Sequence, residues 1–274
     1  MSLFRLLLIA LLFLNGCAST MANNAITVAV IGTGDMGDSL GPQLSRNGYQ
    51  VIYGSRDPHR DSVQKLVKAS VGARATSPLE AAQQAEIVLL VVPWPAMETV
   101  AQKLGKLENK IVIDASIPYR MAEDGYLESS VSTSSSELIQ QWNTQAHVVK
   151  VGFPGSFLID QPELMGEAPS ALIAGDNKLA KERVARLIDD IGMTPLDAGP
   201  LRHARHIESM GLLYMVPLLQ GRDQGWEFFI RENSYWPCTL AGGQLYGANA
   251  NSPDKAVLPN VVKPETDCRP AQKP

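Results

Sequence analysis

The sequence predicts an α/β fold: a Rossmann-type, doubly wound parallel sheet with a C-terminal helical segment and an irregular tail. Three observations predict it. The apolar run Ile26–Ile31 ends in Gly32-Thr33-Gly34-Asp35-Met36-Gly37, a G-x-G-x-x-G set between a strand and a helix. Strand and helix patterns then alternate as far as Asp197. The strands are continuous apolar runs, as expected of a parallel sheet covered by helices on both faces. With 274 residues, 45% of them hydrophobic and 19% charged, the chain suits one large domain or one domain with an appendage. It divides into a signal-type segment and linker start (1–20), a dinucleotide-binding domain (25–200), a helical segment (201–236) and an irregular tail (237–274).

The elements follow in order. Ile26–Ile31 is strand one. Asp35–Asn47 is helical and stops at Gly48, a C-cap glycine. Gln50–Gly54 is strand two, and Arg60–Ser70 is a helix with Val63, Leu66 and Val67 on one face. Ala73–Thr76 is a short strand. Ser77-Pro78-Leu79-Glu80 starts a helix, with Ser as N-cap, Pro at N1 and Glu at N3. Glu86–Val92 is the most apolar strand, Pro95–Leu104 a helix and Lys110–Asp114 the next strand. Residues 120–136 break the rhythm, and Glu128–Ser136 reads as a polar loop. Glu137–Asn143 resumes as helix, followed by strands His147–Val151 and Ala171–Ala174, the amphipathic helix Lys178–Ile191 and the short strand Thr194–Asp197. His203–Leu219 reads as one long helix rich in Met and Leu. Beyond Gly221 the chain turns irregular, with many Pro, Gly and Asn after residue 237.

The glycines carry the first chemistry. Gly32 permits the tight turn out of the strand. Gly34 lets backbone approach a pyrophosphate, and Gly37 lets the helix pack closely. With Thr33, Asp35 and Met36 they form the cofactor loop at a helix N-terminus, whose free N–H groups and dipole favour phosphate. An NAD site carries Asp or Glu at the end of strand two. Here the strand runs into Ser55-Arg56, with Arg60 four residues on. A hydroxyl and two guanidiniums suit a ribose 2′-phosphate, so NADP(H) is the expected cofactor. Asp57 dissents; it is expected to face away or to cap the helix that begins near His59.

Net charge is −4 with no basic block, which gives nucleic-acid binding no support. His203 and His206 stand at i and i+3 with Glu208 nearby, but no third ligand sits at a motif spacing, so no metal site is expected. Met210, Leu212, Leu213, Met215 and Leu219 read as core or dimer contact. Trp226, Phe228, Phe229 and Trp236 read as packing for the tail or as cover for an acceptor pocket.

The N-terminus has the layout of an export signal: Arg5, then the apolar run Leu6–Leu14. Leu14-Asn15-Gly16-Cys17 resembles a lipobox with Cys17 as the lipidated residue. That reading expects a lipid-anchored protein facing the periplasm or cell exterior; translation starting at Met21 gives a cytoplasmic one instead. Cys238 and Cys268 are then free to pair as a disulfide, or to stand as two thiols.

Several motifs occur together in a familiar order. Gly54-Ser55-Arg56, Val92-Pro93-Trp94, Val149-Lys150 with Phe153, Ala174-Gly175-Asp176 and Asp197-Ala198-Gly199-Pro200-Leu201 resemble the deazaflavin-dependent NADP reductases over roughly residues 26–220. The NADP-binding domain of STEAP-type metalloreductases belongs to the same broad group. The resemblance implies hydride transfer between nicotinamide and a flavin- or deazaflavin-like acceptor, a small molecule. Both reactive centres then belong to cofactors, so no catalytic side chain is nominated. It implies that Val92 and Pro93 border the dinucleotide, that Ala115-Ser116-Ile117-Pro118 lines the nicotinamide side, and that the chain is a homodimer. Two departures stand out: Ile117 and Pro154 replace amides that the family often carries. The alternative reading is a membrane-anchored lipoprotein that keeps the fold as a non-catalytic binding or interaction module.

Overall fold

The computed structural model describes residues 25–231. Ten strands form in chain order: β1 (Thr27–Ile31), β2 (Gln50–Gly54), β3 (Arg74–Thr76), β4 (Ile87–Leu90), β5 (Ile111–Asp114), β6 (Tyr119–Met121), β7 (Leu127–Ser129), β8 (His147–Gly152), β9 (Ser170–Gly175) and β10 (Thr194–Asp197). Eight of them make one sheet in the order β10-β9-β8-β5-β4-β1-β2-β3. Its right-hand part has the strand order of a dinucleotide-binding fold, with the direction of winding reversing between β1 and β4. The helices are α1 (Asp35–Arg46), α2 (Asp61–Ala69), α3 (Pro78–Gln84), α4 (Trp94–Lys103), α5 (Ser135–Trp142), α6 (Ser156–Asp160), α7 (Lys178–Asp190), α8 (Ala204–Tyr214) and α9 (Val216–Leu219). The α/β doubly wound class expected from the sequence is the class observed.

Side chains alternate between the two faces of each strand, so every apolar strand feeds two cores. Val28 and Val30 pack with Leu40 and Leu44 of α1, Leu66 of α2 and Val184, Leu187 and Ile188 of α7. Ala29 and Ile31 pack on the other face with Ala81 and Ala82 of α3, Met97 of α4 and Ile139 of α5. Local signals set the helix ends. Ser77 Oγ accepts a hydrogen bond from Glu80 N at 3.3 Å, the cap read from the sequence. Gly48, just past α1, takes φ +87°, a conformation that favours glycine.

Three expectations are corrected. First, the sheet is not wholly parallel: β8 and β9 pair antiparallel, Val149 opposite Gly175 and Gly152 opposite Leu172. A parallel return needs a crossover laid over the sheet. The segment between them instead docks on α1, where Gln43 Nε2 donates to Ile159 O at 2.9 Å and to Asp160 O at 3.1 Å. Second, Glu128–Ser136 is not simply a polar surface loop. Glu128 and Ser129 belong to the β6–β7 hairpin, and Ser134, Ser135 and Ser136 are fully buried at the start of α5. Third, the long helix His203–Leu219 is broken into a 3-10 turn (Leu201–His203), α8 and α9. Pro217 has no N–H to donate to the carbonyl four residues back, so α8 stops before it. Among the described residues no helix is long and apolar enough to cross a membrane.

The chain parts into two units at Phe228 and Phe229. In the second, the Arg231 guanidinium lies over the Phe229 ring, 5.8 Å from its centroid. Cys17, Met21, Trp236, Cys238 and Cys268 lie outside the described residues, as do the signal segment (1–20) and the tail (237–274).

Gly41 marks the tightest helix-to-sheet approach. A Cβ there would lie 2.0 Å from the hydroxyl of Tyr53, whose side chain is fully buried. Gly41→Ala is therefore expected to lower stability by about 1–3 kcal/mol, despite the better helix propensity of alanine. Urea denaturation at neutral pH checks it; an unchanged midpoint contradicts the packing argument.

Candidate active site at the carboxyl ends of the strands

The glycine loop leaves β1 at the winding reversal. Gly32 takes φ +121°, and a Cβ there would stand 2.5 Å from Val91 O. A Cβ on Gly37 would stand 2.3 Å from Gly32 O, so α1 packs against the first turn of the loop itself. Gly34, between them, is exposed, and a Cβ on it would meet nothing within 4 Å. That is the open position a phosphate chain needs, at the end of a helix whose first amides point outward. Asp35 is exposed in the first turn of α1, and Met36 packs against the core below.

The residues after β2 gather beside this loop. Arg60 Nη2 donates to Thr33 Oγ1 at 3.2 Å, which sets a guanidinium on the rim of the glycine turn. Arg56 is exposed. Ser55 is buried, and its hydroxyl donates to Asp57 O at 3.1 Å and accepts from Asp57 N at 3.2 Å. Its side chain thus shapes the turn. Asp57 Oδ1 accepts from His59 N at 3.1 Å, so its carboxylate closes a tight turn; α2 itself begins at Asp61.

The neighbouring strand ends complete the crevice. Val91 N donates to Ile31 O at 3.0 Å, and Ala115 N donates to Leu90 O at 3.3 Å, so the chain leaves β1, β4 and β5 side by side. Val92 and Ala115 are half-buried and Pro93 is exposed. Beyond Ala115, Ile117 is wedged against α8: a Cβ on Gly211 would lie 2.3 Å from Ile117 Cδ1. Pro154, the second departure, is buried behind β8. The β6–β7 hairpin rises from Pro118, and Tyr119, Met121 and Tyr126 are exposed on it.

Beneath this loop lies a charged cluster that sequence reasoning did not assemble. Lys150, on β8, is opposite Asp114, on β5, and both are buried from solvent. Lys150 Nζ stands 3.1 Å from Asp114 Oδ2 and 3.2 Å from Glu208 Oε1 of α8, and donates also to Ser116 O. Asp114 accepts from the hydroxyls of Ser116 at 2.6 Å and Ser136 at 2.6 Å. Ser135 N donates to Glu208 Oε1 at 2.9 Å. The clue in the sequence was a lysine inside an apolar strand together with three successive serines.

Two carboxyl groups converge on one hydroxyl here: Ser135 Oγ lies 2.5 Å from Asp114 Oδ2 and 2.6 Å from Glu208 Oε1. Burial is the largest influence on Glu208 and raises its pKa; the Asp114 charge adds to the rise, while Lys150 and Ser135 offset it in part. Burial also acts to raise Asp114, but Lys150 and the hydroxyls of Ser116, Ser135 and Ser136 outweigh it, so its carboxyl falls below the usual range. The two carboxyls are thus pushed in opposite directions around one buried lysine.

The histidines do other work. His203 Nδ1 is 2.6 Å from Ala198 O, and its ring is 5.6 Å from that of His206. No cluster of three or more metal-ligating side chains occurs among the described residues. Phe228 packs against Tyr214, with ring centroids 6.5 Å apart, and Trp226 is partly exposed.

Comparison with known proteins gives a consistent picture. The family model described as NADP oxidoreductase, coenzyme F420-dependent, matches residues 27–118. The F420-dependent NADP reductase of Methanothermobacter thermautotrophicus is 30% identical over 200 residues, 67% of this chain and 85% of that protein. Metalloreductase STEAP3 of Rattus norvegicus is 26% identical over 208 residues, 72% of this chain but 39% of that protein. A solved structure from Arthrobacter sp. FB24, provisionally assigned as an F420-dependent NADP reductase, aligns at TM-score 0.67 with 23% identity, over 76% of this chain and all of that one. Pyrroline-5-carboxylate reductase of Coxiella burnetii aligns at TM-score 0.52 with 17% identity, over 72% of this chain and 69% of that one. These last two speak for the fold.

The assignment of a raised pKa to Glu208 and a lowered one to Asp114 has a measurable consequence. A carboxyl with a raised pKa stabilises the fold while protonated, and that contribution is lost as pH rises from 4.5 through the raised value. Glu208→Gln is expected to abolish that decline. A depressed pKa acts oppositely: Asp114 stabilises above 3.8, and the contribution is lost as pH falls below it. Asp114→Asn is expected to cost about 3 kcal/mol at pH 7, with the deficit shrinking in acid. Urea denaturation across pH 3–9 reads both. A Glu208→Gln curve parallel to wild type at every pH contradicts the assignment.

Proposed function

The chain belongs to the F420-dependent NADP reductase family, a family of NADP-dependent oxidoreductases, and on that premise we propose that it binds NADP(H) in the glycine loop and exchanges hydride with a flavin- or deazaflavin-like acceptor. The observation that carries the proposal is the pair Arg56 and Arg60 beside the loop, with Arg60 already bonded to Thr33. The cradle fits the group. Gly34 leaves room for the pyrophosphate, Gly32 and Gly37 let the turn and α1 close behind it, and the first amides of α1 meet its charge. Arg60, on the rim of the glycine turn, and Arg56, in the turn built by Ser55, would supply the charge for a ribose 2′-phosphate.

When bound, the nicotinamide supplies or accepts the hydride. The chain's task is then to bind, orient and exclude water. Val92 and Pro93 border the crevice on the β4 side, and Ala115-Ser116-Ile117-Pro118 on the β5 side. Tyr119, Met121 and Tyr126, exposed on the β6–β7 hairpin that follows Pro118, would suit a flat ring. We also propose that Cys17 carries lipid and holds the protein at a membrane facing the periplasm or cell exterior, on the strength of Leu14-Asn15-Gly16-Cys17 after the apolar run.

Fluorescence titration tests the cofactor assignment. NADPH is expected to bind in the micromolar range, and Arg56→Ala and Arg60→Ala each to weaken it about 10-fold or more while leaving NADH affinity nearly unchanged. Equal losses for both dinucleotides contradict the 2′-phosphate role. Absence of binding by either dinucleotide below millimolar concentration favours the non-catalytic module. For location, labelled palmitate is expected to enter the wild-type chain and not Cys17→Ser; label retained in the variant rules out Cys17 as the attachment point.

A further inference from the structure

We propose that Lys150, Asp114 and Glu208 are positioning residues that fix the Ser116–Pro118 loop as the wall against which the nicotinamide ring is held. The inference rests on the NADP(H) reading above and goes beyond it by assigning the buried cluster a role. Every polar group of Ser116 ends in that cluster. Its N–H donates to Asp114 Oδ1 at 2.8 Å and its hydroxyl to the same oxygen at 2.6 Å, while its carbonyl accepts from Lys150 Nζ. The next residue, Ile117, is pinned from the other side by Gly211. Pro118 O accepts from Ser130 N at 2.9 Å, which ties the root of the hairpin to the same loop.

The location makes this more than a structural plug. The loop leaves β5 beside the β4 end, on the strand edge where ligands of this fold gather. Cohesion alone does not call for charges there, because apolar residues of similar volume often hold a core as well as a buried ion pair does. Charges add direction. Lys150 can satisfy Asp114, Glu208 and Ser116 O together only if the Ser116 peptide keeps one orientation. Hydride transfer is steep in distance and angle, and a misplacement of about 1 Å costs roughly 100-fold in rate. A clamp on the wall should therefore govern how the ring is held more than how tightly the dinucleotide binds, since the phosphates are gripped elsewhere, at Gly32–Gly37.

The experiment separates the two. Full-length wild type, Lys150→Met and Gly211→Ala are titrated with NADPH, recording affinity and the enhancement of nicotinamide emission at saturation. Gly211→Ala displaces Ile117 without touching the buried charges, and so carries the test if Lys150→Met does not fold. The expected result is a Kd within about 3-fold of wild type in both variants with most of the emission enhancement lost, and amide exchange over residues 115–117 about 10-fold or more faster while β1 and α1 are unchanged. Full enhancement in a variant with a loosened loop overturns the inference, and so does a loss of affinity in step with the loss of enhancement. Failure of wild type itself to bind NADPH is a different result: it removes the cofactor reading, and the inference with it.

Discussion

An ammonium group closed off from water holds the functional end of this molecule together. Lys150 is 1% exposed, and its partners come from β5, the loop after it, α5 and α8. A lone buried cation would cost several kcal/mol, so the fold is tolerable only when all these elements arrive in place. The cluster thus makes the C-terminal helix α8 a condition for ordering the ends of the interior strands β5 and β8. Mutual satisfaction explains its composition: one lysine stands between two carboxyl groups, and the serine hydroxyls bond the same carboxyls.

The nucleotide end obeys a different constraint, the exclusion of side chains. At Gly32 and Gly37 the space a methyl group would need is already taken by backbone oxygens, while at Gly34 it is open to solvent. The same three-glycine pattern therefore does opposite things at neighbouring positions, compressing the turn twice and opening it once. Arg60 links this backbone feature to the segment after β2 through its contact with Thr33.

Between these two ends lies the crevice of the winding reversal. Its phosphate side is built from backbone, and its far side from a loop suspended on buried charges. This division suits a reductase whose chemistry resides in the cofactor: one part grips and the other aligns.

What the sequence by itself determined was whatever short-range pattern encodes. The glycine spacing, the unbroken apolar strands, the Ser77 cap and the pair Arg56 and Arg60 all act within a few residues of themselves, and the Rossmann order follows from repeating them. The break of the last helix is a local effect of Pro217, whereas the tertiary structure alone decided the antiparallel turn into β9 and the hairpin after β5. It also decided the fate of the serine run. Ser134–Ser136 has the composition of a solvated loop, but its environment is set by Asp114 and Lys150 on other strands and by Glu208, 73 positions from Ser135. No local pattern can report a partner that distant, because burial turns a polar side chain from surface to core only once the elements that satisfy it have met.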